Sequence, residues 1–152
     1  MDQARKKNLA QFDLVHARYP FDDPKMVGFT ESVNYVNSLA ESQPGFIWRE
    51  KYEDKKLVQE LWGEGFAYTL SLWQDTESLK SFLYRTPHAE FIRRGKEWFL
   101  PIKHPRVVLW WVPEGHIPTL SEAHERLELL YEHGASDLAF DLRSTEPPAV
   151  AY

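Results

Sequence analysis

The segment Arg106 to Pro113 (RVVLWWVP) constrains this chain more than any other, because it is a continuous apolar run bounded by proline on both sides. Side chains of a strand alternate between two faces, so a strand without a polar parity needs apolar cover on both. Its adjacent Trp110 and Trp111 are therefore expected on opposite faces of a sheet. The 152-residue chain as a whole supplies enough apolar material for one core, with 43% hydrophobic residues.

Other elements follow from punctuation and period. Leu9 to Arg18 alternates as a first strand after a mobile arm over residues 1–8. Asp23 with Pro24 starts a helix whose stripe is Met26, Phe29, Val33, Val36 and Ala40, ending near Ser42. Beyond the Pro44-Gly45 break, FIWREKY reads as a second strand and GFAYTLSLWQ as a third. The polar stretch Glu53 to Gly65 joins them as the long loop of a hairpin. Asp75 or Thr76 caps a short helix with Leu79, Phe82 and Leu83 inward, and Thr86-Pro87 starts another that runs to about Phe99. After the apolar strand, Thr119 and Glu122 form a capping box for a helix with the stripe Leu120, Ala123, Leu127, Leu130 and Tyr131, stopped by Gly134. LAFDLR is a candidate edge strand, and residues 144–152 read as a disordered tail. One domain over residues 9–143 results.

The order β-α-β-β-α-β with an additional C-terminal helix is the split βαβ arrangement of an α+β, ferredoxin-like domain. Helices on one side of a four-stranded sheet leave the other side apolar. A homodimer with sheets face to face is the expected cover.

DDPKMVGF, PGFIWR, LSLWQDTESLKSFLYRTPHAEFIRRGKEWF and VLWWVPEGHIPTLSEAHERLELLYEHG resemble the family known as domain of unknown function 3291, within the dimeric α/β-barrel superfamily. The resemblance spans roughly Leu9 to Arg143 and implies the fold and the dimer but no agreed reaction. Neighbouring families include cofactor-independent monooxygenases of polyketide quinones, muconolactone isomerases, polyketide cyclases, haem-handling enzymes and aldoxime dehydratases. Most of them use a pocket between the sheet and the helices.

Several partners are excluded. A net charge of −5, with no basic cluster beyond Arg5-Lys6-Lys7, provides no footprint for nucleic acid. No apolar run approaches a membrane span, the N-terminus does not read as a signal peptide, and zero Cys fits a reducing compartment, so a cytoplasmic location is expected. His88-Ala89-Glu90 has the H-x-E form of zinc deaminases but lacks their Cys pair, and no other metal, phosphate-loop or dinucleotide signature is present. No metal and no cofactor are expected.

Among residues able to carry chemistry, His88 stands first: it shares a helical stripe with Phe91, Ile92, Gly95, Trp98 and Phe99 near a helix start. Burial and the helix end both disfavour its cation, so a neutral base or donor is expected, against the alternative of a His that satisfies its own helix or core. Ion pairing of Arg93 and Arg94 with Glu97 and Glu90 at i,i+4 makes a solvated charged face the default; Arg94, between Phe91 and Trp98 by spacing, is secondarily a candidate for holding a substrate oxygen. Tyr84 is a further catalytic candidate. Trp48, Trp73, Phe91, Trp98, Trp110 and Trp111 are candidate walls for a flat ligand, and each also suits plain core packing. His116 in the loop PEGHIP is placed to close a pocket mouth. His124 and Glu128, sharing a helix face, are expected in solvent. Gly95 in mid-helix suggests that a strand or a ligand approaches too closely for a side chain.

The expected function is a small-molecule enzyme acting by proton transfer on a hydrophobic, polyketide-like or polycyclic substrate, by isomerisation, cyclisation, dehydration or cofactor-free oxygenation. A non-catalytic homodimer that sequesters a hydrophobic ligand is the alternative. Haem binding, with His88 or His116 as axial ligand, is the third.

Overall fold

The computed structural model describes residues 6–145. Its centre is β1 (Lys7–Ala17), which has strands on both edges: β3 (Phe66–Trp73) pairs antiparallel along one, and β5 (Val107–Pro113) with the short β4 (Phe99–Leu100) along the other. β2 (Phe46–Arg49) extends the sheet beyond β3, with a register irregularity between Phe46 and Trp48. The order β2-β3-β1-β5 in an antiparallel sheet is the α+β, ferredoxin-like topology. β1 begins at Lys7, so the expected arm is shorter than eight residues; its residues 1–5 lie outside the described ones.

Register divides the sheet into two faces. Ala10, Phe12 and Leu14 share one with Tyr68, Leu70, Leu72, Val108, Trp110 and Val112, and Leu9, Gln11 and Asp13 share the other with Thr69, Ser71, Trp73, Leu109 and Trp111. The first face is covered within the chain by α3 (Lys55–Trp62), through Val58, and by α7 (Leu120–His133), through Leu120, Ala123, Leu127 and Leu130. This removes the premise of the expected sheet-to-sheet dimer, because the face assigned to a second protomer is occupied by the chain's own helices. Each such fully buried Leu or Val contributes ~1.5–3 kcal/mol relative to exposure.

α3 corrects the reading of Glu53 to Gly65 as a loop. Asp54 caps it by accepting from the Leu57 N–H at 3.1 Å, and Leu57, Val58, Leu61 and Trp62 turn toward the core. Their i, i+1, i+4, i+5 spacing is the signal that the polar residues between them masked. β2 and β3 still pair as a hairpin around it.

The second face carries α2 (Val33–Glu41) and α4 (Thr76–Arg85), packed over Leu9, Trp73 and Leu109 through Ala40, Leu79, Phe82 and Leu83. Asp75 caps α4, accepting from the Ser78 N–H at 2.8 Å. The single helix expected from Asp23 to Ser42 is instead a 3₁₀ turn (Pro24–Met26), α1 (Val27–Thr30) and α2. Ser32 interrupts it by donating its hydroxyl to the Phe29 carbonyl at 2.7 Å. The helix expected up to Phe99 is likewise split into α5 (His88–Arg93) and α6 (Gly95–Trp98). LAFDLR forms no strand but two isolated bridges: Phe140 exchanges hydrogen bonds of 2.7 and 2.9 Å with Leu109, and Ala139 pairs with Ser136. Of the expected tail, Ser144 sits in a 3₁₀ turn (Arg143–Thr145) bonded to Asp141, and residues 146–152 lie outside the described ones.

Gly95 is not the tight glycine that its mid-helix position suggested: a Cβ there meets only Phe99 Cδ2 at an ordinary 3.8 Å. Gly45 is. Its φ is +88° and a Cβ would lie 2.1 Å from Ser78 Oγ. Gly95→Ala is therefore expected to be neutral or to stabilise by up to ~1 kcal/mol, whereas Gly45→Ala should cost ~1–3 kcal/mol or more. Urea unfolding of the two variants checks both signs.

Candidate functional site

α2 and α4 cover only part of their face. Beyond Gln11 and Ser71 the sheet floor is open, and a cleft of about 1310 Å³ lies between it and the helices α1, α2 and α4 to α6, extending past the β3 edge to Tyr68 and Lys55. Its apolar walls include Val36, Trp73, Leu79, Phe82, Phe91 and Trp98. Trp73 stacks on Phe82 at 5.3 Å and meets Phe46 edge-on at the same distance.

The floor is polar. Trp73 Nε1 donates to Ser71 Oγ (2.9 Å), Ser71 Oγ donates to Gln11 Oε1 (2.7 Å), and Gln11 Nε2 donates to Thr69 Oγ1 (3.4 Å). Two residues further along β1, Asp13 accepts from Arg106 Nε at 3.0 Å. Burial pushes the Asp13 carboxyl above its ordinary value, and the Arg106 charge and hydrogen bond offset this only in part.

His88 lines the same cleft, half-buried against Phe82 at 4.7 Å. Thr86 joins α4 to α5 here: its Oγ1 donates to the Phe82 carbonyl (2.6 Å) and accepts from the His88 N–H (3.2 Å). Burial holds His88 below its ordinary value, the Arg106 charge acts in the same direction, and the Leu83 carbonyl opposes them. That carbonyl, 3.4 Å from Nδ1, can only accept, so Nδ1 carries the proton of the neutral ring and Nε2 is left as the basic nitrogen.

Of the residues singled out from sequence, His88, Trp73, Phe91 and Trp98 come together in the cleft. Tyr84 does not: it is 52% exposed on α4. Arg94 is also outside the lining, held by Glu97 through two 3.1 Å hydrogen bonds and lying 4.7 Å over the Trp98 ring. Its neighbour Arg93 pairs with Glu90, so both ion pairs run i,i+3 instead of i,i+4. Trp48 and Trp110 pack on the opposite face of the sheet. Trp111 is 37% exposed on the cleft's side of the sheet but near Phe140, and lines a separate hollow with His116.

That hollow is organised by Glu122. Its N–H completes one half of the capping box by donating to Thr119 Oγ1 (3.1 Å), but its carboxylate accepts from Trp110 Nε1 and His116 Nε2, each at 2.8 Å. Partial burial alone would raise this carboxyl; the hydrogen bonds from His116 and Trp110 outweigh it and hold the group below its ordinary value. His124, expected in solvent, meets Trp62 edge-on at 5.1 Å and stands 4.0 Å from Glu128. Among the described residues no three metal-ligating side chains converge.

Gln11, Asp13, Ser71 and Arg106 escaped the sequence reading. Their signal was parity: Gln11 and Asp13 alternate with Ala10, Phe12 and Leu14, which marks a polar face wherever the strand lies.

Two consequences are measurable. Glu122→Ala should destabilise by ~1–3 kcal/mol, because Trp110 is fully buried and its N–H loses its acceptor. The contribution of the Glu122 charge is present above the ordinary glutamate value and is lost as pH falls through the lower folded value, so the difference between wild type and variant should shrink below about pH 4. Thermal unfolding at several pH values checks this. His88 should titrate below the ordinary ~6.5 by NMR, and it should favour the folded state above that value and cease to do so as pH falls through its lower folded value.

Residues 8–151 match the family described as domain of unknown function (DUF3291), and the chain belongs to it. No curated protein matches. Among solved structures, the chain is similar to NE2512, a protein of unknown function from Nitrosomonas europaea, at 12% identity and a TM-score of 0.47, over 76% of this chain and 97% of that one. PA3566 from Pseudomonas aeruginosa is similar at 14% identity and a TM-score of 0.45, over 75% of this chain and 100% of that one. MupZ from Pseudomonas fluorescens is similar at 10% identity and 0.45, over 87% and 84% respectively.

Proposed function

We propose that this DUF3291 protein is a small-molecule enzyme that binds a flat, largely apolar substrate in the cleft and moves a proton with Asp13 and His88. The supporting observation is the opposite displacement of two titrating groups in one cleft: the Asp13 carboxyl is raised and the His88 imidazole lowered. A carboxyl moved up and an imidazole moved down approach each other in proton affinity, so exchange of a proton through a bound substrate costs less than between the free groups. Aromatic walls favour a ring system, and the floor offers hydrogen bonds to orient it.

His88 supplies the lone pair on Nε2, while Asp13 sits on the sheet floor beside Arg106. Isomerisation, cyclisation and dehydration can each be run by such a pair. Of the site residues expected from sequence, this reading keeps His88 with Trp73, Phe91 and Trp98 as walls. It assigns no chemistry to Tyr84, Arg94 or His116, which lie outside the cleft lining.

A proton held on Asp13 or His88 in a cleft open to solvent exchanges with it, which permits a test without a known substrate. The protein is incubated in D₂O with a pool of alicyclic and aromatic metabolites, and deuterium incorporation is read by mass spectrometry. Wild type should label at least one compound, and Asp13→Asn and His88→Asn should each lower that rate by ~10²- to 10⁴-fold. Ligand retention without labelling would favour sequestration over catalysis. Labelling that survives both substitutions would remove the assignment.

A further inference from the structure

We propose that the Gln11 amide holds the carbonyl oxygen of the substrate, and that the cleft takes a ring-fused ketone which Asp13 converts to its enolate. This rests on the proton-transfer reading and names its substrate class.

The direction of the floor hydrogen bonds carries the argument. An indole N–H only donates, so Ser71 Oγ accepts from Trp73 Nε1 and its own proton goes to Gln11, 2.7 Å away. The Gln11 oxygen is thereby turned toward Ser71 and the NH₂ end away from it. One N–H reaches Thr69 Oγ1 at a long 3.4 Å, and the second has no hydrogen-bond partner among the described residues. Gln11 is only 6% exposed and lines the cleft, so this donor is buried at the place where a ligand would lie. A ligand oxygen satisfies it.

Charge decides which kind of oxygen. On this floor Asp13 and Arg106 are paired with each other, which leaves no surplus cation for a permanent carboxylate. A neutral ketone fits. Gln11 and Asp13 point to the same face, two residues apart on β1 and so about 6.6 Å along the strand, which leaves room for a carbonyl and its α-carbon between them. The Asp13 carboxylate takes the α-proton, the C–H electron pair becomes the C=C bond, and the carbonyl π pair moves to oxygen. Negative charge passes from Asp13 to the ligand oxygen, beside Gln11. Arg106, whose guanidinium engages Asp13 through Nε, stays to pair with it. Where the ring carries a β,γ double bond, the enolate is a dienolate, and protonation at its γ-carbon by Asp13, whose proton exchanges with solvent in the open cleft, completes an isomerisation with no oxidant or reductant.

Binding of naphthalene, 2-naphthol and 2-tetralone, measured by fluorescence titration and competition, tests this. The three share a bicyclic frame and differ in oxygen. Wild type should bind 2-tetralone and 2-naphthol at least tenfold tighter than naphthalene. Gln11→Leu should bring the three affinities together while naphthalene binding stays within about twofold, which reports an intact cleft. Should Gln11→Leu fail to fold, the unbranched Gln11→Met, of similar length, removes the same donor and should level the affinities too. Ser71→Ala, which frees the amide to turn, should lose part of the preference. Equal binding of all three by wild type, or a preference unchanged in the Gln11 variant, overturns the ketone assignment. Solvent-deuterium labelling by wild type reports separately on the proton-transfer reading.

Discussion

The structure depends on the confinement of β1. It is hydrogen-bonded along both edges, by β3 on one side and by β5 and β4 on the other, and helices pack on both of its faces. Any polar side chain on such a strand must find a partner, because a buried group without one costs ~1–3 kcal/mol and a charge costs more. Gln11 meets this through Ser71 and Thr69 for its oxygen and one N–H, leaving the other N–H without a partner among the described residues, and Asp13 meets it through Arg106. These same bonds fix the orientation of the groups that form the cleft floor. Stability and site geometry therefore have one origin.

The two faces differ in how completely they are closed. α3 and α7 seal one with a continuous apolar cluster from Val58 to Ala139, and the buried Trp110 N–H is satisfied by Glu122 on α7. On the other, α2 and α4 close only the end around Leu9, Trp73 and Leu109. The floor from Gln11 to Asp13 forms the transition from dry core to solvated cleft, which is where a carboxyl is raised by burial while still within reach of a ligand. A fully sealed face would leave no entry, and a bare one would leave Asp13 at its ordinary value.

Much of the fold was legible because its signals are local. The caps at Asp75 and Thr119, the stripes Leu79-Phe82-Leu83 and Leu120-Ala123-Leu127-Leu130, and the apolar run of β5 each announce an element without knowledge of its neighbours. His88 was legible for the same reason, as an inward residue just after a Thr-Pro helix start. What failed depended on tertiary context. α3 hides its apolar residues in a polar stretch, and without it the sheet looked uncovered and a partner protomer looked necessary. Gly95 looked constrained because its helix looked continuous, but the break at Arg94 places it at the start of α6, where a side chain would make only an ordinary contact with Phe99. Asp13 and Gln11 were the costliest omission. On an edge strand their parity means solvent; only the central placement of β1, set by long-range pairing, puts them on the cleft floor.

The central claim is that Asp13 is a carboxyl held on a partly dry floor, ready to exchange a proton, and not merely one end of a salt bridge. Direct titration of its side-chain carboxyl by ¹³C NMR separates the two. A midpoint above the ordinary aspartate value of 3.8 is expected, since burial outweighs the Arg106 partner. A midpoint at or below that value would mean that Arg106 dominates and that Asp13 serves the fold alone.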